Sequence, residues 1–230
     1  MLATANPALA SSAVADICNA AAHRAASKSG VPLSVLMAIT LTETGRKSGG
    51  KFRPWPWTVN MEGKGVWFDS AEDARAYAYK NFQRGARSFD VGCFQLNYKW
   101  HGKAFRSIEE MFDPQINANY AAKFLRDLYY ETGSWEDAAG AYHSRTPKYA
   151  DRYKKRFQSF RVSLKSLDAT GERPLPPPLQ PLDDGHIPEE ARINRFPLLL
   201  AASSQQSRLG SLVPISAGAG GLRLIDVGGQ

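Results

Sequence analysis

From about Ala13 to Lys165, apolar positions recur with helical spacing and are punctuated by serine, glycine and proline. The run from Leu33 to Thr44 is apolar nearly all round, the mark of a buried helix rather than an amphipathic surface one. Pro32 follows Gly30 at its start, and Gly45 stands where it must stop. Ser70, Ser107 and Ser134 each precede an acid by three residues, the signature of a capped helix start. Asp113-Pro114 opens a further helix, with Ala118, Ala121, Ala122, Leu125 and Leu128 on one face. Strand signals are sparse. The best pair is "PWPWTVN" and "GVWFD", on either side of Gly63 and Gly65, which predicts one small hairpin. The expected fold class is therefore mainly α with a small β-hairpin.

The pattern changes after about Ser166. The stretch "ERPLPPPLQPLDDGHIPEE" cannot propagate a helix or a central strand, and "SAGAGGLRLIDVGG" carries little that would pack. These stretches predict a disordered or partner-binding tail over 166–230, with Phe196 to Leu200 as its one apolar island. Residues 1–12 read as an N-terminal segment rich in small residues, leaving a domain over 13–165. No apolar stretch reaches the roughly 18 residues a membrane span requires.

Charge narrows the picture only a little. The chain has 29 Lys and Arg against 22 Asp and Glu, a net charge of +7. That balance suits anionic partners such as nucleic acid, membranes or acidic wall polymers. The basic residues are scattered and not interleaved with aromatics, so nucleic acid is not expected as a partner. The two cysteines, Cys18 and Cys93, form no CxxC pair and predict no metal site. They read equally as a disulfide or as two small buried hydrophobes.

Three stretches carry candidate chemistry. The buried helix ends on one carboxylate, Glu43, where desolvation would raise the pKa and suit a general acid. In "FDVGCFQLNYKWHG", Gln95 and Asn97 alternate with Phe94 and Leu96, so two amides spaced two apart would face one way, toward sugar hydroxyls and N-acetyl groups. In "AGAYHSRTPKYADRY", Tyr142 and His143 close a helix before Pro147. Tyr142 is a candidate to orient an acid or to contact a glycan, and His143 a candidate base.

Taken in order, these stretches resemble the lysozyme-like lytic transglycosylases of bacteria, the soluble lytic transglycosylase (SLT) domain family. The matching positions are Glu43-Thr44, then Asp90 to Asn97, then Tyr142 to Ser144, within about residues 14 to 160. Thr44 stands in place of the family's usual serine, His143 where asparagine is common, and Arg145 near the usual glycine. The resemblance implies a lysozyme-like α domain that needs no metal or cofactor. Its substrate would be peptidoglycan glycan strands, cleaved between N-acetylmuramic acid and N-acetylglucosamine to leave a 1,6-anhydro end. Glu43 would be catalytic, with Thr44, Phe94, Gln95, Asn97, Tyr142 and His143 on the substrate.

A lysozyme-type hydrolase with Asp90 as a second acid is the enzymatic alternative, although Asp90 also reads as a turn residue capping backbone amides. A non-catalytic wall-binding assembly protein is the other alternative. Trp55, Trp57 and Trp67 read either as an aromatic cleft wall or as packing for the hairpin. The resemblance further implies a monomer in the periplasm of a Gram-negative cell, with a Cys18–Cys93 disulfide. It would open the wall for a flagellar rod or secretion-system component recruited through the tail.

Overall fold

In the computed structural model, residues 7–48 and 50–170 are described. The tail from 171 onward, with the Phe196–Leu200 island, and residues 1–6 lie outside them. In chain order the elements are α1 (Pro7–Ser29), α2 (Leu33–Thr44), β1 (Arg46–Ser48), β2 (Lys51–Arg53), β3 (Thr58–Met61), β4 (Lys64–Trp67), α3 (Ala71–Gln83), β5 (Phe89–Val91), β6 (Leu96–Asn97) and α4 (Tyr98–His101). They continue with α5 (Ile108–Phe112), α6 (Pro114–Thr132), α7 (Trp135–His143) and α8 (Pro147–Leu164), and a 3-10 segment, Lys165–Thr170, ends the described chain. The described residues are mainly helical, as the periodicity predicts.

The predicted starts hold because the side chains satisfy backbone amides that a helix leaves orphaned. Ser70, Ser107 and Ser134 accept from the amides of Asp73, Glu110 and Asp137, and Asp113 accepts from those of Gln115 and Ile116. Helix α2 is buried on most sides, from Val35 and Leu36 to Thr42 and Thr44. Its last turn is closed by Gly45 for a reason other than left-handed backbone, since the φ there is −57°. A Cβ at Gly45 would overlap the Phe52 ring and the Leu41 carbonyl.

Both expected boundaries move. Helix α1 begins at Pro7 rather than after residue 12, because an alanine-rich run headed by proline favours helix. Its buried Ala15, Cys18, Ala21, Ala22 and Ala25 let it approach α6, which offers Ala118, Ala121 and Ala122. At the other end, residues 165–170 belong to the fold. Asp168 accepts from the Ser34 amide (2.8 Å) and hydroxyl (2.5 Å) at the start of α2, where Pro32 supplies no cap.

The hairpin forms as β3–β4, closed by Glu62 and Gly63, both at positive φ as a two-residue turn demands. Sparse strand signals hid the rest. The hairpin is half of a four-stranded antiparallel sheet, β4-β3-β5-β6, and β1–β2 form a separate ribbon. These strands are two to four residues long, too short for alternation to register. No described helix is long and apolar enough to cross a membrane.

Candidate active site

Helix α2 delivers Glu43 to the wall of a cleft of about 430 Å³. Asn60, Asp90, Gln95, Asn97, Tyr142 and His143 face the same space. Burial lifts the Glu43 carboxyl from 4.5 to about 7. A hydrogen bond from Tyr153 lowers it, the nearby charge of Asp90 raises it, and that of Arg156 lowers it again. The Tyr153 hydroxyl donates to Glu43 Oε1 at 2.6 Å, and its ring stacks on His143 with centroids 4.6 Å apart. The carboxyl is thus fixed in orientation and poised to hold or release a proton near neutrality.

The sheet explains the second carboxylate. Register sets Asn60 opposite Asp90, and Asp90 opposite Asn97. Three polar side chains therefore form a row across β3, β5 and β6. Asp90 Oδ2 accepts from Asn60 Nδ2 (2.9 Å) and Oδ1 from Asn97 Nδ2 (2.7 Å). Burial raises its pKa, while Asn97 and Asn60 pull it down. The turn-capping reading of Asp90 is overturned, because its partners are side chains on neighbouring strands rather than backbone amides. Asn60 Oδ1 is the one buried side-chain polar atom with no hydrogen-bond partner among the described residues. Asn60 lines the cleft, but this oxygen is itself shielded from the cleft's open space.

The loop between β5 and β6 is held from behind. Gly92 takes φ +79°, and a Cβ there would sit 2.8 Å from Asn117 Nδ2. Buried Asn117 donates to the carbonyls of Val91 and Met111 and accepts from the Phe94 amide. Gln95 then adopts a left-handed φ of 46°, a strained state for a side chain of its size. Its Nε2 donates to the carbonyls of Thr58 and Gly92. Asn97 gives Nδ2 to Asp90 and its oxygen to the Lys99 amide. Both amides line the cleft, but these groups are engaged within the protein. Gln95 sits in a turn and Asn97 in β6, so the two amides reach the cleft from different local conformations.

Three further expectations change. Thr44 is fully buried and does not line the cleft. Its hydroxyl donates to the Thr40 carbonyl and accepts from the Trp55 amide, tying the end of α2 to the incoming chain of β3. Phe94 is likewise fully buried, a core residue rather than a cleft wall. Tyr142 faces the cleft but does not orient the acid. Its hydroxyl donates to the Phe94 carbonyl at 2.7 Å, and Tyr153 takes the role at Glu43 instead.

Of the tryptophans, Trp55 is buried and Trp57 packs on the core. Trp67 lines the cleft, 43% exposed, with its indole donating to the Thr44 carbonyl at 3.1 Å. Trp100, 73% exposed and on the same cleft, escaped the sequence reading. So did Tyr153 and Asn60. All three lie inside stretches singled out above, but nothing local marks Tyr153 as the partner of an acid 110 residues away.

Cys18 and Cys93 are joined in a disulfide, resolving the two readings left open by their spacing. The bridge ties α1 to the loop carrying Phe94 and Gln95. Residues 67–160 match the family model of the Transglycosylase SLT domain, a stretch that takes in the second and third motifs and begins after Glu43. No curated protein and no solved structure matches the chain.

Proposed function

We propose that this protein is a lytic transglycosylase of peptidoglycan with Glu43 as its single acid and base. One observation carries the reading: a carboxyl with its pKa lifted to about 7 stands at the end of a buried helix, in a cleft, with Tyr153 fixing one oxygen. The match of residues 67–160 to the SLT domain supports the substrate class. Protonated Glu43 gives its proton to the oxygen between N-acetylmuramic acid and N-acetylglucosamine as that bond breaks. The substrate's own N-acetyl group stabilises the positive charge at C1. Carboxylate Glu43 then takes the proton of the muramic C6 hydroxyl, whose oxygen bonds to C1 and closes the 1,6-anhydro ring. Trp67 and Trp100 offer faces for the apolar side of the sugar.

Asp90 favours a second reading. It shares the cleft with Glu43, and glycoside hydrolysis uses two carboxylates. Digestion of purified peptidoglycan beside Glu43→Gln, analysed by mass spectrometry, decides. Anhydro-muramic ends, one water lighter than hydrolysis products and missing with the variant, support the transglycosylase. Reducing ends would make Asp90 the base for water. No product from the unaltered chain would leave a wall-binding role. A periplasmic setting, and recruitment through residues 171–230 to an envelope machine such as a flagellar rod or secretion system, belong to the same proposal.

A further inference from the structure

The ribbon that follows Glu43 carries a charge pattern that folding does not require. Strands β1 and β2 pair as Arg46↔Arg53, Lys47↔Phe52 and Ser48↔Lys51. Side chains alternate between faces along each strand, so Arg46, Arg53 and Lys51 share one face, and Lys47 and Phe52 the other. Arg46 and Arg53 are directly opposite, a placement that destabilises a strand pair. None of these cations has a carboxylate partner among the described residues.

A two-stranded ribbon is marginal by itself, yet this one is anchored. Phe52 stacks on Phe160 of α8, centroids 5.4 Å apart and planes within 7°, in the space left by the missing side chain of Gly45. The Arg46 guanidinium lies over the Trp55 ring at 4.4 Å. The like charges are therefore held together. They are also held beside the cleft: Arg46 is three residues past Glu43, and Trp67 of the cleft wall bonds the Thr44 carbonyl just before the ribbon.

We propose that Arg46, Lys51 and Arg53 form a binding site for the carboxylates of the peptide stems on muramic acid. The inference rests on the peptidoglycan reading above. N-acetylated glycan whose lactyl groups are amidated by peptide carries no charge, so the glycan itself offers these cations nothing. The stems carry free carboxylates and hang from the sugar that supplies the reacting carbon. Arginine binds such groups through two parallel N–H bonds, and a bound anion also relieves the Arg46–Arg53 repulsion. The site would make the enzyme prefer peptide-bearing strands.

The test compares the full chain with R46Q/R53Q, and with Lys51→Gln alone in case the double variant folds poorly. The substrates are intact wall glycan and the same glycan stripped of its stems by an amidase. On peptide-bearing strands, KM should rise roughly fivefold to tenfold for the double variant with kcat within about twofold, and added salt should raise the unaltered protein's KM toward the variant's. On stripped strands KM should hold within about twofold, and the thermal midpoint of R46Q/R53Q should hold or rise as repulsion is removed. Equal losses on both substrates, or no change on either, would overturn the site. So would a loss confined to stripped strands, which would assign the cations to the freed lactyl carboxylate. Cosedimentation with the two wall preparations reads the same contrast without turnover. Inactivity of the unaltered chain would then count against the transglycosylase alone.

Discussion

Glu43 should make the protein less stable in the pH range where wall chemistry runs, and its removal should show this. The carboxyl titrates at 4.5 when free and near 7 in the fold, chiefly because folding buries it. Below pH 4.5 both states hold the proton and the burial costs nothing. Between 4.5 and 7 the folded chain keeps a proton that the unfolded chain has released, so stability falls as pH rises. Above 7 the folded state carries a buried charge, at a cost of up to about 3 kcal/mol. Glu43 keeps part of its surface open to cleft water, which trims this to about 2 kcal/mol. In Glu43→Gln the side-chain carbonyl can still accept from Tyr153, so the hydrogen bond is kept while the charge is lost. Thermal unfolding of both proteins from pH 4 to 9 measures the difference. The variant should match the unaltered protein at pH 4 and gain about 2 kcal/mol by pH 8.5, roughly 5 °C for a domain of this size. A difference independent of pH, or one that falls with pH, would refute the burial argument and remove the physical basis for Glu43 as an acid at neutral pH.

Four further outcomes follow from neighbouring contacts. Tyr153→Phe removes a bond that favours ionised Glu43, so the upper limb of the pH–rate profile should move to higher pH, with kcat lower by on the order of tenfold as the carboxyl loses its orientation. Replacing Cys18 and Cys93 together by alanine opens a loop with a separation of 75 residues, and urea unfolding should show a loss of about 2–4 kcal/mol. Truncation after Thr170 should leave stability and activity on isolated walls intact. Truncation after Leu164 removes Asp168 from the Ser34 amide and hydroxyl and should cost about 2 kcal/mol, read by thermal melting.

The helices were legible because their signals are local. A capping serine acts on an amide three residues away, and the apolar run of α2 is a property of twelve consecutive residues. Glu43 was legible for the same reason, since the sequence alone puts an acid at the end of a buried helix. What the tertiary structure decided is where each side chain is spent. Thr44 and Phe94 lie in motifs that match substrate-binding stretches, yet both are buried, because Thr44 bonds to the Thr40 carbonyl and the Trp55 amide and Phe94 packs in the core. The partner of Glu43 proved to be Tyr153 rather than Tyr142, a choice set by how α8 crosses α2 and invisible at a separation of 110 residues. The row of Asn60, Asp90 and Asn97 exists only through strand register, in strands too short to announce themselves. Composition and periodicity thus determined the helices and the acid, while long-range pairing determined the groups that tune it, because hydrogen bonds and burial depend on neighbours in space and not on neighbours along the chain.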